Sequence, residues 1–346
     1  TSRPPLFQTP CKPIKGVYVS GLYSNVIVVD KENGGRADAL NAGLNFARFH
    51  LVARVDADSV VERDSLLRCV RPFIDPRTIA AGGVVRILNG CKIEDGKVRE
   101  IGLPDNPLVI MQAIEYTRAF FVMRPATDEW NAVPLISGTF GLYRRDIVVD
   151  LGGFDPRTVG EDMELIMRLH EQYSIERREY RIAFVADPVA WTEAPATLRG
   201  LARQRARWHR GLAEVLWQYR HMLFNPRYGA VGMFVLPFYW LFELLEPVFL
   251  LAGYLFIILG IITGHASFSI LFSFLVLNVG LNLIISSLAL FYGETRFTRY
   301  QNPNDVIYMA IWSATEPLWY RWLTVIWRSQ GLFSALKNEI LRGGAS

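Results

Sequence analysis

Val159-Gly160-Glu161-Asp162-Met163-Glu164-Leu165 joins a glycine-rich loop, Leu151-Gly152-Gly153-Phe154-Asp155-Pro156, to the amphipathic run Leu165, Ile166, Leu169. The spacing predicts a loop feeding the N-terminus of a helix, with two carboxylates in its first turn. Acidic first turns are also ordinary dipole compensation, so this stretch needs others beside it before it implies chemistry. Working outward, two do stand beside it. Asp56-Ala57-Asp58 ends the strand-like run Leu51-Val52-Ala53-Arg54-Val55, and Gln204-Arg205-Ala206-Arg207-Trp208 lies on an arginine-rich helical stretch.

Strand and helix signals alternate around these three stretches. Asn25–Asp30 reads as a buried strand, Ala37–Phe49 as a helix after Gly34-Gly35, and His50–Val55 as a second strand. Asp64–Phe73 reads as a helix and Ile79–Leu88 as a third strand. Asp95-Gly96, between Cys91-Lys92-Ile93 and Lys97-Val98, signals a hairpin. Pro107–Met123 reads as helical, and Val133–Ile136 as a short strand entering Ser137-Gly138-Thr139-Phe140-Gly141. The alternation predicts an α/β domain with a largely parallel sheet. Ligands of such sheets bind at the carboxyl ends of the strands, where Asp56, Asp58 and the Ser137–Gly141 turn are expected.

The 346 residues carry a net charge of +4, and 51% are hydrophobic; mean hydropathy is +0.18. The apolar excess is late in the chain. From Tyr228 to Thr295 there is no Lys or Arg, and Glu243, Glu246 and Glu294 are the only acids. That break predicts a soluble domain over residues 1–225 and a membrane region over 226–346. The modest charge and the apolar segment that follows the basic helix argue against nucleic acid. The three cysteines have no metal-like spacing, and Thr1–Lys15 has no apolar signal-peptide core, which places the soluble part in the cytosol.

Each stretch has a chemical reading beside a plain one. Alternate carboxylates leaving a strand, Asp56 and Asp58, can hold Mg²⁺ or Mn²⁺ with phosphate oxygens, or simply form a solvated turn. Lys31, Asn33, Gly34, Gly35, Arg36, Ala37 and Asp38 make a basic glycine turn suited to a phosphate or nucleotide, or an ordinary strand-to-helix turn. Gln204, Arg207 and Trp208 fall on one helix face, with Thr197 as the expected N-cap. An arginine clamps diphosphate and an indole stacks on a sugar ring. Arg199, Arg203, Arg205 and Arg210 add charge but read mainly as juxtamembrane cations meeting anionic lipid.

Asp56-Ala57-Asp58, Gly160-Glu161-Asp162 and Gln204-x-x-Arg207-Trp208, in that order and followed by apolar helices, resemble the membrane-integrated family 2 glycosyltransferases: cellulose, hyaluronan, chitin and poly-N-acetylglucosamine synthases. The resemblance runs from about Lys31 to the end and implies a GT-A-like (Rossmann-like) fold. It implies nucleotide contact at the turn Lys31–Asn41, including Lys31, Arg36 and Asp38, and an acceptor-side turn at Gly138, Thr139 and Phe140. It implies metal binding by Asp58, support of metal and diphosphate by Asp56, and a general base in Asp162. Gln204 and Arg207 would hold the diphosphate, and Trp208 would be the acceptor platform. The first half of such a domain, which holds uracil, is not found before Asn25, nor is the usual N-terminal membrane helix.

In the membrane region, Tyr228–Leu245 reads as an interfacial or kinked helix, and Pro247–Thr263 and Ser267–Tyr292 as spans separated by Gly264-His265-Ala266. Arg296, Arg299 and Asp305 return to water, Val306–Trp327 lies in the interface or spans, and Lys337 and Arg342 favour a cytosolic C-terminus. The expected enzyme is an inverting, multi-pass inner- or plasma-membrane glycosyltransferase. It moves a hexose from a nucleotide-diphosphate sugar, UDP-linked, onto a growing polysaccharide, with other export subunits as candidate partners. Two rivals are single transfer onto a lipid, as in ceramide glucosyltransferases, and a membrane interaction protein without turnover.

Overall fold

The computed structural model describes residues 6, 8–265, 267–296 and 302–343. Ala266 and Arg299 lie outside them, and only the backbone of Arg296 and Arg342 is described. The chain opens on β1 (Ile14–Val19) and β2 (Ile27–Lys31), an antiparallel pair forming its own sheet. The expected buried strand is therefore a half-exposed hairpin arm. Tyr18 and Val28 pair across it and both face solvent.

Helix α1 (Arg36–Phe46) follows Gly35, whose φ of 86° suits glycine. Then come β3 (Leu51–Val55), β4 (Ser59–Val61), α2 (Ser65–Val70), β5 (Thr78–Ile87), and the hairpin β6 (Lys92–Glu94) and β7 (Lys97–Glu100). Asp95 and Gly96 both have positive φ there, the backbone that an Asp-Gly hairpin turn requires. Helices α3 (Pro107–Arg118) and α4 (Arg124–Glu129) are joined by a π-helical turn at Ala119–Met123. Strand β8 (Phe140–Arg144) leads to α5 (Arg145–Asp150), α6 (Glu161–Glu176), β9 (Arg181–Thr192) and α7 (Leu198–Gln218).

The main sheet has the order β3-β8-β5-β9-β4. Among the described strands only β5 and β9 pair in parallel; the other three pairings are antiparallel. The expectation of a largely parallel sheet is thus corrected to a mixed one. Val133–Ile136 is not a strand either. It is a buried extended segment, and Val133 satisfies its carbonyl on His170 Nε2 at 2.9 Å instead of on a sheet partner. The strand lies just after the glycine turn, at β8.

Beyond α7 the helix Val231–Leu244 contains the short α8 (Leu236–Phe238) between two π-helical stretches, and it bends by 48° into α9 (Glu246–Ile262). Helix α10 (Phe268–Arg296) is long and apolar enough to cross a membrane by itself. The bent pair qualifies only when its two arms are taken as one. Both α9 and α10 turn apolar side chains outward, Phe256 at 80% and Phe291 at 69% exposure among them, as a lipid-facing surface does. Val306–Trp327 is divided between α11 (Pro303–Thr315) and α12 (Tyr320–Gly343) by a turn at Glu316–Leu318. Helix α12 lies along α7, where Gly331 faces the Ala206 carbonyl with no room for a Cβ.

Two buried histidines make this packing pH-sensitive. His170 bonds Tyr180 Oη at 2.7 Å through Nδ1, and His209 meets the Leu244 carbonyl at 3.1 Å. Burial pushes both imidazoles down from 6.5 to about 4. The unfolded chain therefore takes up these protons first as pH falls. The contribution of these two histidines is expected to be full above about pH 6.5 and to decline between there and about 4, by roughly 3 kcal/mol per histidine. His170→Gln is expected to remove about half of that decline, read as the unfolding midpoint in detergent across this pH range. An unchanged slope would refute it.

Candidate active site

The site begins where β3 ends. Because β8 runs antiparallel to β3, Val55 pairs with Phe140, and the turn before β8 sits beside Asp56. The Asp56 N–H donates to the Thr139 carbonyl at 3.2 Å. Arg36, the first residue of α1, reaches over from the other side. Its guanidinium pairs with Asp56, donates to the Gly138 carbonyl at 2.9 Å and stands 3.3 Å from Glu161 Oε1. Arg54 donates to that same Glu161 oxygen at 2.6 Å from a side chain that is almost wholly buried. Gly138 is what admits both arginines, since a Cβ there would lie 2.6 Å from Nη2 of each.

The three acids in the first turn of α6 divide by partner. Glu161, 4% exposed, is held by Arg54 and Arg36. Glu164, 1% exposed, accepts from Arg168 at 2.8 Å and from the Tyr219 hydroxyl at 2.9 Å. Asp162 is half-buried, accepts the Met163 N–H at 2.9 Å and makes no ion pair among the described residues. Burial, joined by the charge on Asp162, pushes the Glu161 carboxyl up against the pull of Arg54 and Arg36. Burial works against the charge on Arg54, but the neighbouring carboxylates, Asp162 foremost, outweigh it and raise its pKa. Arg124, stacked 3.9 Å from the Phe120 ring centroid, is instead pushed down by burial, against the opposing charges of Tyr239 and Asp162.

Helix α7 closes one side. Thr197 caps it as expected, its hydroxyl accepting the Gly200 N–H at 3.1 Å. Gly211 meets Gly160 backbone to backbone, and Glu214 accepts the Val159 N–H at 3.2 Å. The start of α6 is therefore clamped to α7 one turn beyond Arg207. Arg207 and Trp208 are exposed, and Arg207 has no hydrogen bond or ion pair among the described residues. Gln204 is half-buried. Two of the four arginines expected to face lipid do not. Arg205 pairs with Glu115 and Arg210 with Glu214, so both charges are engaged within the protein.

The other expected residues fall in three places. Lys31 and Asp38 pair with each other, largely buried, and Asp38 also accepts the Lys12 N–H at 2.7 Å. Burial alone would raise the Asp38 carboxyl, but the bonds from Lys31 and Lys12 lower it. This pair shapes the turn that presents Arg36. Asn41, at the end of that motif, clamps the glycine loop before α6 by exchanging bonds with the Phe154 backbone at 2.7 and 2.9 Å. The Phe140 ring is fully buried in the core, which corrects its expected contact with acceptor to a backbone one at most.

Asp58 is exposed just past Asp56. No group of three or more His, Cys, Asp or Glu residues gathers for a metal among the described residues. Asp56, which Arg36 engages, and Asp58 are nevertheless hard oxygen donors of the kind that Mg²⁺ or Mn²⁺ takes when phosphate and water complete its shell. The donor chemistry fits. Arg54, Arg124 and Glu115 were not singled out in the sequence. Arg54 left one signal there: an arginine inside an apolar strand run.

The family described as "Glycosyltransferase like family 2" matches residues 20–211. The chain is 34% identical over 195 residues to the poly-beta-1,6-N-acetyl-D-glucosamine synthase of Staphylococcus aureus (strain COL), covering 56% of this chain and 42% of that protein. The synthase of the same name from Staphylococcus epidermidis is 31% identical over 190 residues, 54% of this chain and 41% of that one. The chain thus spans about two fifths of the length of these curated relatives. A mannosyltransferase from Pyrobaculum calidifontis, solved with GDP-mannose and Mn²⁺, superposes with a TM-score of 0.51 at 19% identity, covering 84% of this chain and 68% of that one. That likeness is one of fold, the GT-A type.

Proposed function

Since the chain belongs to the glycosyltransferase-like family 2, we propose that it is an inverting, metal-dependent transferase. It moves a hexose from a nucleotide-diphosphate sugar, UDP-linked, onto a growing polysaccharide at a membrane. Residues 1–225 form the cytosolic transferase domain and 226–346 its multi-pass membrane region. The names of the relatives make N-acetylglucosamine and a β-1,6-linked acceptor the first pair to try. The observation that carries the reading is the meeting of Asp56, Arg36, Gly138 and Glu161 around an Asp162 that has no ion pair of its own among the described residues.

The roles follow from that arrangement. Asp162 takes the proton from the acceptor hydroxyl as its oxygen attacks the anomeric carbon on the face opposite the departing diphosphate, so one base suffices. Glu161, Arg36 and Arg54 hold the first turn of α6 in place. Gln204 and Arg207 bind the diphosphate, and Trp208 stacks on the acceptor sugar. Asp58, with Asp56, would hold Mg²⁺ or Mn²⁺, which supplies neutralisation of the diphosphate charge.

Incubation with labelled UDP-N-acetylglucosamine and β-1,6-linked oligomers tests the reading. A ladder of longer oligomers is the expected result. One labelled glycolipid would instead mean single transfer to lipid, and no release of nucleotide diphosphate from any donor would mean a membrane interaction protein. Asp58→Ala is expected to abolish the Mn²⁺-dependent part of UDP binding, because a diphosphate beside bare carboxylates is repelled. Titration of UDP with and without Mn²⁺ measures it, and equal affinities in wild type would remove the metal from the proposal.

A further inference from the structure

Arg205 sits in the basic run of α7 but behaves unlike a surface cation. Its side chain is 12% exposed, and its Cζ lies 5.0 Å from the centroid of the Trp208 ring. Its Nη2 pairs with Glu115 of α3 and reaches the Tyr320 hydroxyl of α12 at 3.3 Å. The Tyr320 hydroxyl in turn donates to the same Glu115 oxygen at 2.8 Å. Tyr320 is fully buried, whereas Trp208 is 42% exposed. Three helices therefore converge on one guanidinium, and that guanidinium lies against the one aromatic ring of the group that faces solvent.

We infer that Glu115, Arg205 and Tyr320 are positioning residues for Trp208: they fix the guanidinium beside the indole so that the ring offers its exposed surface to a sugar at one set angle. The inference rests on the acceptor-platform reading of Trp208. An exposed indole has two free torsions, and stacking on a pyranose needs its plane settled before the sugar arrives. A guanidinium settles it by cation–π attraction only if it cannot itself move. Glu115 supplies the counter-charge for burying Arg205, and Tyr320 fixes which carboxylate oxygen is used. Because Tyr320 opens α12, the platform is also registered to the helix that follows the spanning segments.

The test uses the full chain in membranes, UDP-N-acetylglucosamine as donor and a β-1,6-linked N-acetylglucosamine tetramer as acceptor. Two quantities are read: KM for the tetramer, and UDP release without it. Glu115→Gln and Arg205→Lys are each expected to raise the tetramer KM about tenfold while UDP release stays within twofold. Tyr320→Phe, which keeps the packing and removes only the hydroxyl, should raise it severalfold and carries the test if Glu115→Gln does not fold. In a Trp208→Ala background none of the three should add a further effect, since residues that act through one ring are not additive once it is gone. Unchanged KM values, effects that multiply with Trp208→Ala, or UDP release falling in step with transfer would overturn the inference. If Trp208→Ala alone leaves the tetramer KM unchanged, the platform reading falls first, and that outcome is distinct.

Discussion

Asp162→Asn is expected to lower sugar transfer by about 10²–10⁴-fold while donor binding changes little. The substitution keeps shape and hydrogen bonding and removes only the capacity to accept a proton. Its two acidic neighbours cannot take over the task. Glu161 is shared by Arg54 and Arg36, and Glu164 by Arg168 and Tyr219. Freeing either to act as base would leave a buried guanidinium or hydroxyl without its partner, at a cost of several kcal/mol for the charge. Glu161→Gln is therefore expected to lower stability, because it leaves Arg54 buried beside a neutral amide, whereas Asp162→Asn should leave the unfolding midpoint near wild type. Transfer rate, UDP affinity and thermal midpoint on the same preparations separate the two residues. A purified Asp162→Asn protein with wild-type turnover would move the base elsewhere and take with it the reading of the α6 start.

The elements most legible in the sequence were those whose signal is local. The start of α6 after Gly160, the strand running into Asp56, the Asp-Gly hairpin and the Thr197 cap all follow from residues within a turn of one another. Partnership across the chain was not legible. β9 passes through Asp187-Pro188, and its pairing with β5 shifts register on both sides of Val84, opposite Pro188, so its alternation reads poorly. The direction of β8 against β3 depends on which edge the chain returns to, and strand–helix alternation does not reveal that. Arg54 and Glu161 stand 107 residues apart, as Arg205 and Glu115 stand 90 apart. Nothing beside either arginine marks it as the one that will be buried. The motifs named candidate residues, and the long-range partners separate those without an ion pair among the described residues from those engaged in holding the fold.

That separation sharpens the last expectation, which concerns Arg207. Five arginines lie along α7, and a helix that only met lipid headgroups would use them nearly alike, at roughly 1 kcal/mol each. The structure has already divided them. Arg205 serves Glu115 and Arg210 serves Glu214, so replacing either disturbs packing and makes a poor control. Arg203 and Arg207 are both exposed with no ion pair among the described residues, but they are four positions apart, and only Arg207 lies one turn before the Gly211 contact with the start of α6. If Arg207 holds the diphosphate as proposed, Arg207→Ala removes a positive charge from where leaving-group charge develops and is expected to lower transfer by about 10²–10³-fold. Arg203→Ala should change it less than fivefold. Lysine at 207 should recover only part of the loss, since it carries the charge without the planar fork that grips two phosphate oxygens at once. The measurement is transfer in reconstituted membranes, normalised to inserted protein, at two salt concentrations. A headgroup role fades as salt screens exposed charge for both arginines together, whereas a diphosphate clamp keeps the gap between the two variants open. Equal, small and equally salt-sensitive losses would make α7 a membrane anchor and return the diphosphate to other residues.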